Sequence, residues 1–176
     1  MNETKATLFA TVMTLIYTLL GLVSIFYMVD DWLVSLPIVV FYFLILVSTH
    51  LSVSFFLSII PEHSYIQKVI NGALLVIYFI LAFNLNHPLN FMIVTALLFS
   101  VSTIKYLLMV EENPHKKLLW RKVSVQTLGT IACILTILGI LSGYALISTS
   151  LWLFCFIIAN IYIISIKPLY RISNED

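Results

Sequence analysis

The sequence predicts an all-α fold, a polytopic bundle of six membrane-spanning helices with short loops and with both termini on the cytoplasmic side. Three observations carry this. Hydrophobic residues make up 61% of the 176 and charged residues only 10%, with a mean hydropathy of +1.08, whereas water-soluble domains are roughly half apolar and a quarter charged. Apolar runs recur six times between short polar breaks, and at about 20 to 25 residues per crossing they consume nearly the whole chain. The nine lysines and arginines all fall on one side of the alternation that six spans impose. A single domain over residues 1–176 follows, with no room for a separate soluble one.

The first span, near 5–29, follows Lys5 and lacks the small-residue cleavage site of a secretory signal, so it reads as an uncleaved crossing. Asp30 and Asp31 end it. The second, near 33–60, is about 28 residues or roughly 42 Å of helix against a hydrocarbon core of about 30 Å, which predicts tilt or protrusion. Pro61-Glu62-His63 separates it from the third, near 64–85, and the Asn84 to Asn90 break with Pro88 introduces the fourth, near 88–110. Glu111-Glu112-Asn113-Pro114 precedes the fifth, near 118–141, and Ser142 to Ser150 with Gly143 marks the passage to the sixth, near 146–167. Connections this short predict that consecutive helices are antiparallel neighbours.

Lys5, Lys68, Lys105, Lys116, Lys117, Arg121, Lys122, Lys167 and Arg171 share one side, which the positive-inside rule makes cytoplasmic. Tyr27, Trp32 and Tyr144 fall at the outer boundary and Tyr65, Trp120 and Tyr170 at the inner one, where amphipathic rings prefer headgroup depth. The net charge of +1 gives no electrostatic argument for nucleic acid as a partner. The expected setting is the cytoplasmic membrane of a prokaryote, and Cys133 and Cys155, both within apolar runs, read as small hydrophobes.

Helices in lipid associate through small residues and interhelical hydrogen bonds. Thr7, Thr11, Thr14, Thr18 and Gly21 share one face of the first span, which predicts a packing seam or, alternatively, a hydroxyl-lined path. Gly139-x-x-x-Gly143 is a close-approach motif, suited to packing inside the chain or to a dimer. The prolines sit at or near span ends, so no broken helix of the kind that builds ion-coupled transporter sites is expected. A faint repeat relates Ser52-Val53-Ser54 with Gln67-Lys68-Val69 to Ser100-Val101-Ser102 with Arg121-Lys122-Val123.

Polar side chains at membrane depth are costly and therefore informative. Asn71, Gln126 and Asn160 lie about seven residues, or roughly 10 Å, from the cytoplasmic ends, with His50 deeper and Lys105 shallower. Together with Ser54 they form a polar layer in the inner half and are the ligand-binding or pore-lining candidates. Each has a structural alternative. Ser54 and Ser58, one and two turns from His50, offer it local hydrogen bonds. Lys105 can extend its ammonium to the headgroups, or turn inward toward a ligand anion or toward Glu62, Glu111 or Glu112. Gln126, on one face with Thr130 and Cys133, and Asn160 suit interhelical bonds equally.

The segment with Lys116, Lys117, Trp120, Arg121 and Lys122 suits contact with lipid headgroups or a partner, or simply sets topology. There is no GxSxG, no phosphate-cradling lysine loop, no HExxH, no paired carboxylates within a span and no second His at ligand spacing. No catalytic residue, metal or cofactor is therefore expected. In size and helix number the chain resembles the substrate-binding subunits of energy-coupling-factor vitamin transporters, and Ala6-x-x-x-Ala10 is similar to their first-helix coupling motif. Short outer loops and glycine-poor spans depart from that pattern. Two functions are therefore expected to compete, with an intramembrane enzyme a third: a unit that binds or transports a small solute or lipid through the inner-half polar layer, and a non-catalytic accessory, regulatory or immunity-type protein acting through helix association, as a homo-oligomer or with a membrane-protein partner.

Overall fold

The computed structural model describes residues 3–28, 32–59, 65–110 and 116–166. Six α-helices fill them: α1 (Glu3–Met28), α2 (Trp32–Ile59), α3 (Tyr65–Ala82), α4 (Pro88–Val110), α5 (Lys116–Leu141) and α6 (Ala145–Ile161), which widens into a π-helical turn over Tyr162–Ile166. All six are long and apolar enough to cross a membrane, and among the described residues there is no strand. The chain has the architecture of an integral membrane protein. Asp30-Asp31, Pro61-Glu62-His63, Glu111 to His115 and the tail bearing Lys167, Tyr170 and Arg171 lie outside the described residues.

In hydrocarbon every backbone polar group must be satisfied within its own segment, which leaves the helix as the available conformation. The hydroxyls obey the same constraint: Thr11 donates to the Thr7 carbonyl, Thr14 to Ala10 and Thr95 to Phe91, each at 2.8 Å. The ends are closed by local chemistry. Asn84 Nδ2 donates to the Ile80 carbonyl at 2.8 Å beyond the end of α3, and Pro88 occupies the first position of α4, where a missing N–H sacrifices no helical bond. Gly143 ends α5 with φ +89°; the Gly143 and Tyr144 amides donate to Ile140 and Gly139, both at 3.0 Å, the paired bonds of a Schellman cap.

The helices pack as a ring in the order α1, α2, α6, α5, α4, α3 and back to α1, with α2 and α4 also meeting across it. Consecutive helices are expected to be neighbours, but α2 and α3 do not pack extensively among the described residues: α1 packs on both, and a Thr49–Tyr78 hydrogen bond joins them through side chains. Tyr17 of α1 explains why. The Tyr17 hydroxyl donates to the Leu75 carbonyl of α3 at 2.8 Å, and the Tyr17 carbonyl accepts the Tyr42 hydroxyl of α2 at 2.7 Å. One residue thus joins α1 to both helices. Gly21 makes room for the Tyr42 ring: a Cβ there would collide with Tyr42 Cε1 and lie 3.1 Å from Cδ1 and 3.2 Å from Cζ.

The ring is filled unevenly. Toward the end away from the lysines, Phe41, Leu81, Leu85, Phe91, Met92 and Trp152 form a buried core, with Phe41 and Phe91 edge to face at 5.9 Å. At the basic end a second cluster of Phe56, Tyr106, Met109, Leu118 and Leu119 joins α2, α4 and α5, with Ile163 of the π-helical turn packed against it. Neither cluster fills the space beside the basic-end halves of α1 and α3.

Candidate functional site

That space is a cavity of about 470 Å³, within the roughly 300 to 1,000 Å³ typical of small-molecule sites. Five helices build its polar wall by helical spacing. On α3, Lys68, Asn71, Gly72, Leu75 and Tyr78 recur at three and four residues and face it together; on α4, Ser102, Lys105 and Tyr106 do the same; on α5, Lys122 and Gln126 are one turn apart. His50 enters from α2 and Thr14 from α1. The cavity is not sealed, since Lys68 and Gly72 are exposed, and a Cβ on Gly72 would meet nothing within 4 Å.

Of the polar layer read from the sequence, His50, Asn71, Lys105 and Gln126 line this one cavity. Asn160 does not. It faces a shallower groove of about 230 Å³ between α2 and α6, and its Nδ2 donates to the Phe156 carbonyl of its own helix at 2.8 Å. Ser54 is also outside the cavity lining. Nor is it the local partner of His50, because Ser54 Oγ and His50 Nδ1 are both buried without a hydrogen bond. Gln126 Oε1 is likewise buried and unpartnered. Buried polar atoms are nearly always paired with protein or water, so these atoms are exceptions, and two of them belong to residues of the cavity wall.

The basic segment divides. It is helical from Lys116 onward, two residues before the span expected near 118–141. Lys116, Lys117, Trp120 and Arg121 are exposed at the start of α5, whereas Lys122 is 4% exposed, lines the cavity and places its Nζ 5.7 Å from the centre of the Tyr106 ring, within cation–π range. It falls there because Leu118, Leu119, Lys122 and Val123 are the buried stripe of α5. That spacing was readable from the sequence, but the density of neighbouring cations disguised Lys122 as another headgroup contact. Lys68 was read for its charge and its place in the faint repeat, not as a lining residue.

Mid-span tyrosines were also passed over in favour of interfacial ones. Tyr78 and Thr49 share a hydroxyl–hydroxyl hydrogen bond across the cavity from α3 to α2, and Tyr106 and Ser52 are joined at 3.0 Å from α4 to α2. Each hydroxyl bond ties two helices, and both tyrosines line the cavity. The signal available was position, since a tyrosine far from both interfaces needs a partner for its hydroxyl.

The packing candidates are placed as follows. On α1 the inward face is centred on Ala10, Tyr17, Gly21 and Ser24; Thr7 is exposed, and Thr11, Thr14 and Thr18 are half-buried at its margins. Gly139 abuts α6: a Cβ there would collide with Ser148 Oγ and lie 3.0 Å from Ser148 Cβ. Gly143 serves the turn rather than a face, with open space around it. Among the described residues there is no group of three or more His, Cys, Asp or Glu arranged to hold a metal ion. No protein family, curated protein or solved structure gives a significant match to this chain.

Proposed function

We propose that this protein is a membrane-embedded binding or transport unit for a small solute or lipid, with its basic end and both termini in the cytoplasm and its cavity loaded from that side. The observation that carries the reading is convergence: four polar side chains from four helices, His50, Asn71, Lys105 and Gln126, line one cavity rather than dispersing to separate neighbours or to lipid. Orientation follows from the positive-inside rule applied to the lysines and arginines. The filled core at the opposite end makes the cavity a one-sided vestibule, closed toward the outside.

The competing reading, a protein that acts only through helix association, loses its strongest feature. Gly139 is occupied by α6 and Gly143 by a turn, so the motif that would seat a second copy is consumed within the chain.

Native mass spectrometry of the protein extracted gently with its own lipids tests the proposal. A reproducibly retained small molecule or lipid is expected, lost in Gly72→Phe, whose ring would fill the open side of the cavity, and weakened when His50 and Gln126 are replaced by leucine. Retention unchanged in Gly72→Phe would sink the cavity as the site. Recovery of a ligand-free chain only in company with a second polypeptide would favour an accessory subunit.

A further inference from the structure

We infer that the cavity is entered sideways from the leaflet at the basic end, through a window between α1 and α3, and that its ligand is a lipid of that leaflet; this rests on the cavity being a binding site. The walls are unequally covered. On α4 and α5, the lining residues Tyr106 and Lys122 are 6% and 4% exposed. On α1 and α3 the lining residues Phe9, Lys68 and Gly72 are all exposed, Phe9 by 46%. Gly72 locates the window. It lines the cavity, yet it also shares a face of α3 with Val69, three residues before it, and Val76, four after it, both exposed on the outside of the bundle. A position common to the inner and outer surfaces that carries no side chain, and where a Cβ would meet nothing within 4 Å, is a gap in the wall.

The depth of the gap decides what can reach it. Helix α3 has 18 residues, roughly 27 Å, and Gly72 lies seven residues from its basic end, roughly 10 Å inside the span. Lipid chains, not water, stand against a helix at that depth. Toward the basic end the gap runs to Lys68, three residues from that end and within reach of the headgroups. In the other direction it closes at Tyr17, where α1 is tied to the Leu75 carbonyl at 2.8 Å and the Tyr17 and Tyr78 rings stand 5.5 Å apart. The interior is graded in the same sense as a lipid of that leaflet. From Lys68 to Leu75 on α3, and from Lys105 to Leu98 on α4, the lining passes from polar at the basic end to apolar toward the middle of the bundle. A lipid therefore slides through the gap without turning over, its head staying at the basic end and one chain moving in beside Met13, Leu98 and Phe99. A water-borne solute would have to cross part of the leaflet to use this window.

The test places the purified full chain in phosphatidylcholine nanodiscs doped with a phosphatidylcholine that carries a diazirine at the middle of one acyl chain. After photolysis, adducts are mapped by peptide mass spectrometry at Leu46 and Leu98, which line the cavity and are buried. Leu128, exposed on α5, is the reference for insertion and folding. Adducts at Leu46 and Leu98 are expected in the parent, and should fall about tenfold relative to Leu128 in Gly72→Phe, the factor given by about 1.4 kcal/mol of steric cost. Met13→Trp, which narrows the cavity from α1, provides the same readout if Gly72→Phe fails to assemble. A second arm supplies butylphosphocholine bearing the same diazirine from the water. Interior adducts from this probe alone would show an aqueous mouth and overturn lateral entry. Lipid adducts undiminished in both Gly72→Phe and Met13→Trp would remove the window between α1 and α3. Lipid adducts confined to Leu128 would overturn the lipid, and native mass spectrometry then separates the two readings. A retained ligand that Gly72→Phe abolishes leaves the cavity a binding site for a water-borne molecule, whereas no retained ligand brings down both.

Discussion

The same substitution made at two glycines should change stability in opposite directions. Alanine in place of glycine in a helix interior is worth about 0.5 to 1 kcal/mol in conformational entropy. At Gly72 nothing opposes that gain, because a Cβ there has nothing within 4 Å. At Gly21 the added methyl collides with Tyr42 Cε1 and sits 3.1 Å from Cδ1, whereas carbon atoms pack optimally at about 3.5 to 4.0 Å. The ring must move, and it has little freedom: Tyr42 is fully buried and its hydroxyl is bonded to the Tyr17 carbonyl at 2.7 Å. Overpacking of this kind costs about 1 to 3 kcal/mol, and an interhelical hydrogen bond lost in a membrane about 0.6 kcal/mol on average and at most about 1.7. Less the entropic gain, Gly21→Ala should lose about 2 kcal/mol, a fall of roughly 4 to 8 °C in unfolding midpoint for a chain of this size. Gly72→Ala should raise the midpoint by about 1 to 4 °C on the same scale. Thermal unfolding of both variants in one detergent, followed by circular dichroism, decides it. Equal midpoints for the two would refute the close approach of α1 to α2 on which the ring is built.

Tyr42→Phe retains the ring over Gly21 and removes only the bond to the Tyr17 carbonyl, so it should cost about 0.6 to 1.7 kcal/mol in the same unfolding assay. A loss beyond about 3 kcal/mol would mean that the hydroxyl does more than join α1 to α2. Gly139→Leu should weaken the α5–α6 contact through Ser148 and lower the midpoint while leaving the mass in detergent, measured by light scattering, unchanged. A change from dimer to monomer in that variant would restore Gly139 to an intermolecular seam. With Cys133 and Cys155 replaced, a single cysteine at Lys117, exposed at the start of α5, should react with a membrane-impermeant maleimide only in inside-out vesicles. Labelling of right-side-out vesicles instead would invert the topology and put the cavity mouth outside.

How legible the molecule was from its sequence differs by level. The helices were read to within a few residues, as with Trp32–Ile59 for the span expected near 33–60, because hydropathy is a local property and the bilayer imposes its thickness on each segment separately. The polar layer was legible as a depth, since counting residues from a helix end measures distance along its axis. His50, Asn71, Lys105 and Gln126 fall in one inner-half layer and share the cavity; Asn160 lies in that layer but faces the α2–α6 groove.

Rotation about the axis was the part that could not be read. In water an amphipathic stripe tells which face of a helix is inward. In lipid the surroundings are as apolar as a leucine core, so a leucine such as Leu75, on the cavity wall, and one such as Leu128, exposed on α5, carry the same local signal. Likewise nothing local distinguishes Lys117, exposed, from Lys122, buried over Tyr106. Composition and span length by themselves determined that this chain is a six-helix membrane bundle with its cations at one end. Only the tertiary structure decided the order of the helices in the ring, with α1 joined by Tyr17 to both α2 and α3, and therefore that three lysines converge on one half-apolar space. Depth is encoded residue by residue, but convergence depends on which helices become neighbours, and that is set by contacts such as Gly21 beneath Tyr42 between residues far apart in the chain.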